Sequence, residues 1–164
     1  MPITSRTRWS QRPRVLRLIY RSQVAFNPVG MPFTEEVQAI LSESRAHNAA
    51  VGITGALMVS RGHFAQVLEG PASAVKALYG GIACDARHRH PLVLSVEDID
   101  RRAFPNWSMA YVNEVMQAAI PLTFRDAAMD PSSLSASGPA LLAFLRYAVQ
   151  EMSPEAISPR PASA

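Results

Sequence analysis

Polar side chains stand where core residues are due at Tyr20, Ser44, Asn48 and Gln66. Gln66 shares a strand face with Phe64 and Leu68, and Tyr20 continues the face of Leu16 and Leu18. Ser44 and Asn48 extend the helical stripe begun by Val37, Ile40 and Leu41. A buried polar group without a partner costs about 1–3 kcal/mol, so each of these needs one. Taken singly, each reads as bonded to its neighbours or to nearby backbone. Taken together, they read as the lining for a polar, planar ligand inside the fold. The amides of Asn48 and Gln66 both donate and accept, which suits a ring edge carrying carbonyl and N–H groups. Glu69 and His63 flank the same hairpin, but nothing orients them as an acid–base pair, and they read as structural.

These residues need a scaffold, and the hydrophobic pattern supplies one. Val15 to Ser22 alternates, with Leu16, Leu18, Tyr20 and Ser22 on one side and Val15, Arg17, Ile19 and Arg21 on the other. That is a half-buried strand with its arginine face towards water. After a loop marked by Asn27, Pro28, Gly30 and Pro32, Thr34 is expected to cap a helix whose first turn carries Glu35 and Glu36. Val51 to Ser60 reads as a strand joined through Arg61-Gly62 to a second, His63 to Glu69. Pro71 suits the first turn of another helix, with Val75, Leu78, Tyr79 and Ile82 as its buried stripe. Further strands are expected near Leu92 to Val96 and near Trp107 to Val112.

The order strand, helix, hairpin, helix, strand, strand predicts an α+β, ferredoxin-like sandwich: a five-stranded mixed sheet with two helices on one face. C-terminal helices follow. Leu141, Phe144, Leu145, Ala148 and Met152 form one amphipathic helix, and the stretch from Met116 to Met129 suggests another. The domain organisation expected is a disordered basic leader over 1–13, the sandwich over 14–112, a helical appendage over 113–152, and a disordered tail over 153–164.

The composition excludes several classes. The 164 residues are 48% apolar, enough for one cored domain, and the formal charge of +3 is too small to argue for nucleic acid. The early arginines, from Arg6 to Arg21, lack the aromatic interleaving of a nucleic-acid arm. Cys84 is the lone cysteine, which removes any internal disulfide and points to a reducing compartment. No signal core, membrane-length apolar run or metal-ligand spacing is visible, so a soluble cytoplasmic protein is expected.

The sequence resembles the BLUF family, sensors of blue light using FAD, from about Arg14 to Tyr111. The resemblance is carried by L-I-Y-R-S (18–22), S-R-A-H-N (44–48), G-I-T-G-A-L (52–57) and H-F-A-Q-V-L-E-G-P (63–71), and continues in D-A-R-H-R-H (85–90) and R-R-A-F-P-N-W-S-M-A-Y (101–111). It implies that Tyr20 is the photoactive phenol and that Gln66 is the amide between it and the flavin. It places Asn48 on the polar edge of the isoalloxazine, Ser44 and Ser22 near the site, and Arg87 and His88 beside the flavin side chain. Trp107 and Met109 match a fifth-strand pair linked to signalling; by pattern alone they are core, sharing a face with Tyr111. Arg87 and His88, by pattern alone, belong to a solvated basic turn.

The implied mechanism has Tyr20 give an electron and a proton through Gln66 under blue light. Both return, leaving the amide rotated or tautomeric. The implied cofactor is FAD, with FMN or riboflavin as substitutes if the ring is gripped most. The implied partners are further copies of the chain and a separate effector, with a cyclic-dinucleotide enzyme as a candidate. No catalytic output motif is seen, so a sensor rather than an enzyme is expected. The alternatives are a flavin-free interaction module on the same fold, or a small flavin-dependent oxidoreductase or acylphosphatase-like hydrolase. Against these last two, no Gly-rich dinucleotide fingerprint and no arginine nest with a positioned asparagine is found.

Overall fold

The structure is a computed structural model and describes residues 14–25, 32–113 and 137–152. Its elements are β1 (Val15–Val24), α1 (Phe33–Val51), β2 (Thr54–Ser60), β3 (His63–Pro71), α2 (Ala72–Ala83), β4 (His88–Ile99), β5 (Ala110–Val112) and α3 (Gly138–Glu151). The strands form one mixed sheet in the order β4-β1-β3-β2-β5. All neighbours are antiparallel except β2 and β5, which run parallel. This is the expected α+β ferredoxin-like arrangement. The expected leader, tail and second C-terminal helix lie outside the described residues, as do Asn27, Pro28 and Gly30.

Local chemistry sets the boundaries, and several differ from the sequence expectation. Pro32, not Thr34, is the N-cap of α1, and its carbonyl accepts from the backbone N–H groups of Glu35 and Glu36. Proline has no N–H to lose at a helix start, so an extended Pro32 can end the loop and open the helix. At the other end Val51 is still helical, although it reads as strand. Gly52, at φ 73°, reverses the chain in the left-handed region before β2 begins. The β2–β3 turn matches expectation: Arg61 and Gly62 both have positive φ, as a two-residue hairpin with native twist requires. β4 is much longer than Leu92 to Val96, whereas β5 is only three residues, so Trp107 and Met109 lie ahead of it.

The sheet is covered on both faces. Leu16, Leu18, Tyr20, Leu57, Phe64 and Leu68 pack with Val37, Ile40 and Leu41 of α1 and Val75 of α2. Ile19, Met58, Ala65 and Val67 pack on the opposite face with Leu141, Phe144, Leu145 and Ala148 of α3. The arginine face of β1 was therefore misread as solvated. Ile19 is 1% exposed, and the Arg17 guanidinium bonds the fully buried Glu69 at 2.7 Å. A strand pattern reports which side is apolar, but not that a distant helix returns to cover the other side.

Glu69 has the structural role its sequence setting suggested. Besides Arg17, its carboxylate accepts from the backbone N–H groups of Ala103 and Phe104. Arg102 reinforces the same corner through Thr54 Oγ1, the Glu69 carbonyl and the Gly52 carbonyl. Removing one side of a buried charge pair typically costs about 3–5 kcal/mol. Glu69→Ala is expected to lose about that much stability in urea unfolding, with Glu69→Gln losing less because an acceptor oxygen remains. A Glu69→Ala loss below about 1 kcal/mol would contradict this role.

Candidate functional site

Tyr20 and Gln66 face each other across the antiparallel β1–β3 pair. Both point into the core shared with α1 and α2; Tyr20 is 0% and Gln66 4% exposed. The Tyr20 hydroxyl donates to Gln66 Oε1. The other end of that amide, Nε2, donates to Met109 Sδ at 3.3 Å. Burial, with lesser contributions from Tyr79 and Asp85, pushes the Tyr20 phenol far above its ordinary range. It is therefore held protonated, as a donor. The three side chains form one buried chain: phenol, amide, thioether.

Beside this chain lies a cleft of about 440 Å³ between the sheet and the two helices, a size typical of sites for small molecules. Tyr20, Leu57, Phe64 and Gln66 form its floor, Ile40, Ser44 and His47 come from α1, and Leu78 and Ile82 from α2. Of the buried stripe expected of α2, Val75 is fully buried, while Leu78, Tyr79 and Ile82 are partly buried against the core, and Leu78 and Ile82 also face this space. Glu43, Asp85, Arg87 and His88 also line it. Arg87 binds Asp85 at 2.7 Å and Glu43 at 3.0 Å, tying α1 to the connection after α2. Hydrogen bonds from Arg87 hold the Asp85 carboxyl below its usual range.

Of the residues singled out in the sequence, Tyr20, Ser44, Gln66, Arg87 and His88 line the cleft. Arg87 and His88 thus leave the solvated turn that pattern alone assigned to them, while Arg89 and His90 stay exposed. Ser22 is buried and bonds His88 Nδ1 at 2.8 Å, and the His88 ring lies 4.4 Å from that of Phe64. Asn48 is 0% exposed; its Nδ2 donates to the Ser108 carbonyl at 2.8 Å. Its Oδ1 is the one buried side-chain polar atom without a partner among the described residues. Met109 belongs to the core on the α1–α2 face, with Tyr111 packed against it, but Trp107 packs against the α3-side core. The shared face expected for Trp107, Met109 and Tyr111 is therefore wrong for Trp107.

Sequence reading missed His47, Glu43 and Asp85 as lining residues. His47 stands three residues after Ser44 on α1, so the helical spacing was available to find it. The Glu43–Arg87 bridge spans 44 positions and leaves no local signal. Tyr79 packs against the core as expected, its ring 5.3 Å from that of Tyr20.

The cleft has apolar walls with the Gln66 amide at its floor, and Asn48 is not among its lining residues. The family description "Sensors of blue-light using FAD" matches residues 15–110, and the chain belongs to this BLUF family. A photoactivated adenylate cyclase subunit beta of Euglena longa is 36% identical over 87 residues, 52% of this chain. The chain spans about a tenth of the length of that relative. Among solved structures, the dark-state BLUF protein BlrB is 33% identical, with a TM-score of 0.67 over 86% of this chain and 98% of that one. BlrP1 of Klebsiella pneumoniae, solved with FMN and cyclic diGMP, is 33% identical with a TM-score of 0.54 over 60% and 26% of the two chains. The family match supports the sensor reading, not the interaction module, oxidoreductase or hydrolase. No described helix is long and apolar enough to cross a membrane.

His88 gives this site a pH signature. Burial outweighs the opposing pull of Asp85 and lowers its imidazolium pKa to about 4, from an ordinary 6.5. Between those values the unfolded chain takes up a proton that the folded protein refuses. Stability contributed by neutral His88 is thus complete above pH 6.5 and falls as pH drops towards 4. The Asp85 contribution is lost lower, below its ordinary 3.8. Urea midpoints should decline from pH 7 to pH 4.5, and His88→Gln should flatten that decline; equal slopes in both proteins would exclude His88 as the cause.

Proposed function

We propose that this chain is a blue-light receptor in which the buried Tyr20–Gln66–Met109 chain converts absorption into a displacement of the segment before β5. The observation that carries this reading is the continuous donor path from the Tyr20 hydroxyl to Gln66 Oε1 and from Gln66 Nε2 to Met109 Sδ. Bound flavin supplies the absorption of blue light and a transient acceptor for an electron and a proton. Asn48 and Gln66 hold the polar edge of the ring, Ser44 flanks it, and Ser22 fixes His88 at the cleft. Arg87 stands beside the ring's side chain. FAD is the flavin proposed, by family; FMN in the Klebsiella relative makes it, or riboflavin, an acceptable substitute.

Tyr20 does its part as a dry, protonated phenol that donates to an amide oxygen. A proton leaving its oxygen passes to Gln66 Oε1, because burial excludes water as a competitor. When the proton returns, the amide is left rotated or tautomeric, and Nε2 no longer faces Met109 Sδ. Met109 is unbranched and polarizable, so it can repack as that bond is lost. Trp107, two residues earlier and packed towards α3, moves with it.

Output is proposed to pass through β5 and the 113–152 appendage to a separate effector, in a cytoplasmic protein that associates with further copies of itself. The sensor unit covers 14–112, with a leader before it and a tail after 152. The cyclase and cyclic-diGMP relatives make a cyclic-nucleotide or cyclic-dinucleotide enzyme the effector class of choice. The sensor itself is not proposed to catalyse a reaction.

The test is the visible spectrum of flavin-loaded protein before and after blue light. Wild type should shift reversibly to the red, while Tyr20→Phe and Gln66→Ala bind flavin without shifting. A shift that survives both substitutions would sink the mechanism. Asn48→Ala should weaken flavin retention by about tenfold, the scale of one or two hydrogen bonds, measured by equilibrium dialysis.

A further inference from the structure

Three successive carbonyls ahead of β5 are each held by a different donor. The Trp107 carbonyl accepts from the Gly55 backbone N–H at 3.0 Å, and the Ser108 carbonyl from Asn48 Nδ2 at 2.8 Å. The Met109 carbonyl accepts from Arg45 Nε at 3.0 Å. None of the three residues belongs to the strand, which starts at Ala110. Their placement therefore rests on these contacts rather than on a sheet ladder.

The two side-chain tethers from α1 differ in kind. Asn48 is committed to the ring edge in the reading above, so its hold on Ser108 is shared with the flavin. Arg45 does not line the cleft; it is an exposed residue on the helix surface. An exposed arginine is ordinarily left to solvent, yet this one reaches the backbone of the residue whose sulfur meets Gln66.

We propose that Arg45 is a positioning residue of the photosite. By holding the Met109 carbonyl it keeps Sδ on Gln66 Nε2, and so favours the dark orientation of the amide. This inference rests on the light-sensor reading. It differs in that Arg45 acts on the backbone behind Met109 and touches neither the ring nor Gln66.

The experiment compares full-length wild type, Arg45→Met and Arg45→Lys, each loaded with flavin, for dark recovery after blue light. Backbone hydrogen exchange over 107–112 is measured on the same proteins in darkness. Arg45→Met should keep its flavin and its red shift but recover about fivefold more slowly or worse, the scale of one lost hydrogen bond. Its 107–112 amides should exchange faster. Arg45→Lys should fall between, since an ammonium can donate but lacks the fixed planar fork. Recovery within about twofold of wild type, with unchanged exchange, would overturn the proposal. If Arg45→Met fails to fold, the same two criteria applied to Arg45→Lys decide it. A wild type without any red shift would instead sink the sensor reading, while exchange in darkness would still decide whether Arg45 holds the segment.

Discussion

The hydrogen bond from Tyr20 to Gln66 exists only because β1 and β3 are paired in one register. The two residues face each other directly, flanked by Leu18 opposite Leu68 and Ser22 opposite Phe64. Slipping the pair by one residue would turn every side chain of the moving strand to the other face. Tyr20 or Gln66 would then look towards α3, among Ile19, Met58, Ala65 and Val67. The Arg61-Gly62 turn fixes β3 against β2, and Glu69 fixes its far end against Arg17 of β1. The polar pair is thus held from both ends of β3, and the apolar residues around it keep water out. That dryness is what raises the phenol and makes the amide its natural acceptor.

The energy available from this contact is small. A rearranged hydrogen bond is worth about 1 kcal/mol net. Inverting a two-state equilibrium from 1:99 to 99:1 requires about 5.5 kcal/mol. The rearrangement must therefore bias an element already close to balance, or recruit packing changes that add to it. The segment 107–109 is suited to that role. It has no ladder of its own, it is held by single hydrogen bonds to three separate carbonyls, and its side chains enter both cores.

Much of the fold was legible because its strands and first helix alternate cleanly. The inward polar residues stood out for the same reason: a glutamine between Phe64 and Leu68 has no ordinary place in a core strand. What sequence could not give was set by long-range packing. The β1 arginine face looked solvated because the cover, α3, arrives more than a hundred residues later. Helix and strand boundaries moved where single residues outweighed propensity, at Pro32 and at Gly52. Trp107 was placed with Met109 by assuming that a strand began there; the short β5 removes that assumption. The Arg87–Glu43 contact was invisible because its partners stand 44 positions apart on different elements.

The division of the sheet into two cores gives the 107–109 segment its consequence. Met109 lies among the residues packed under α1 and α2, while Trp107 lies among those packed under α3. They are two residues apart on one backbone, so a displacement of either is felt by the other. Within β3, by contrast, the chain is paired with both β1 and β2 and packed on both faces. Close-packed interiors resist continuous deformation and tend instead to occupy discrete arrangements. A change at Gln66 thus meets strong resistance along β3 but weaker resistance at the Met109 sulfur. The route from the dry pair to the α3 face runs through a segment that crosses between cores without being a strand.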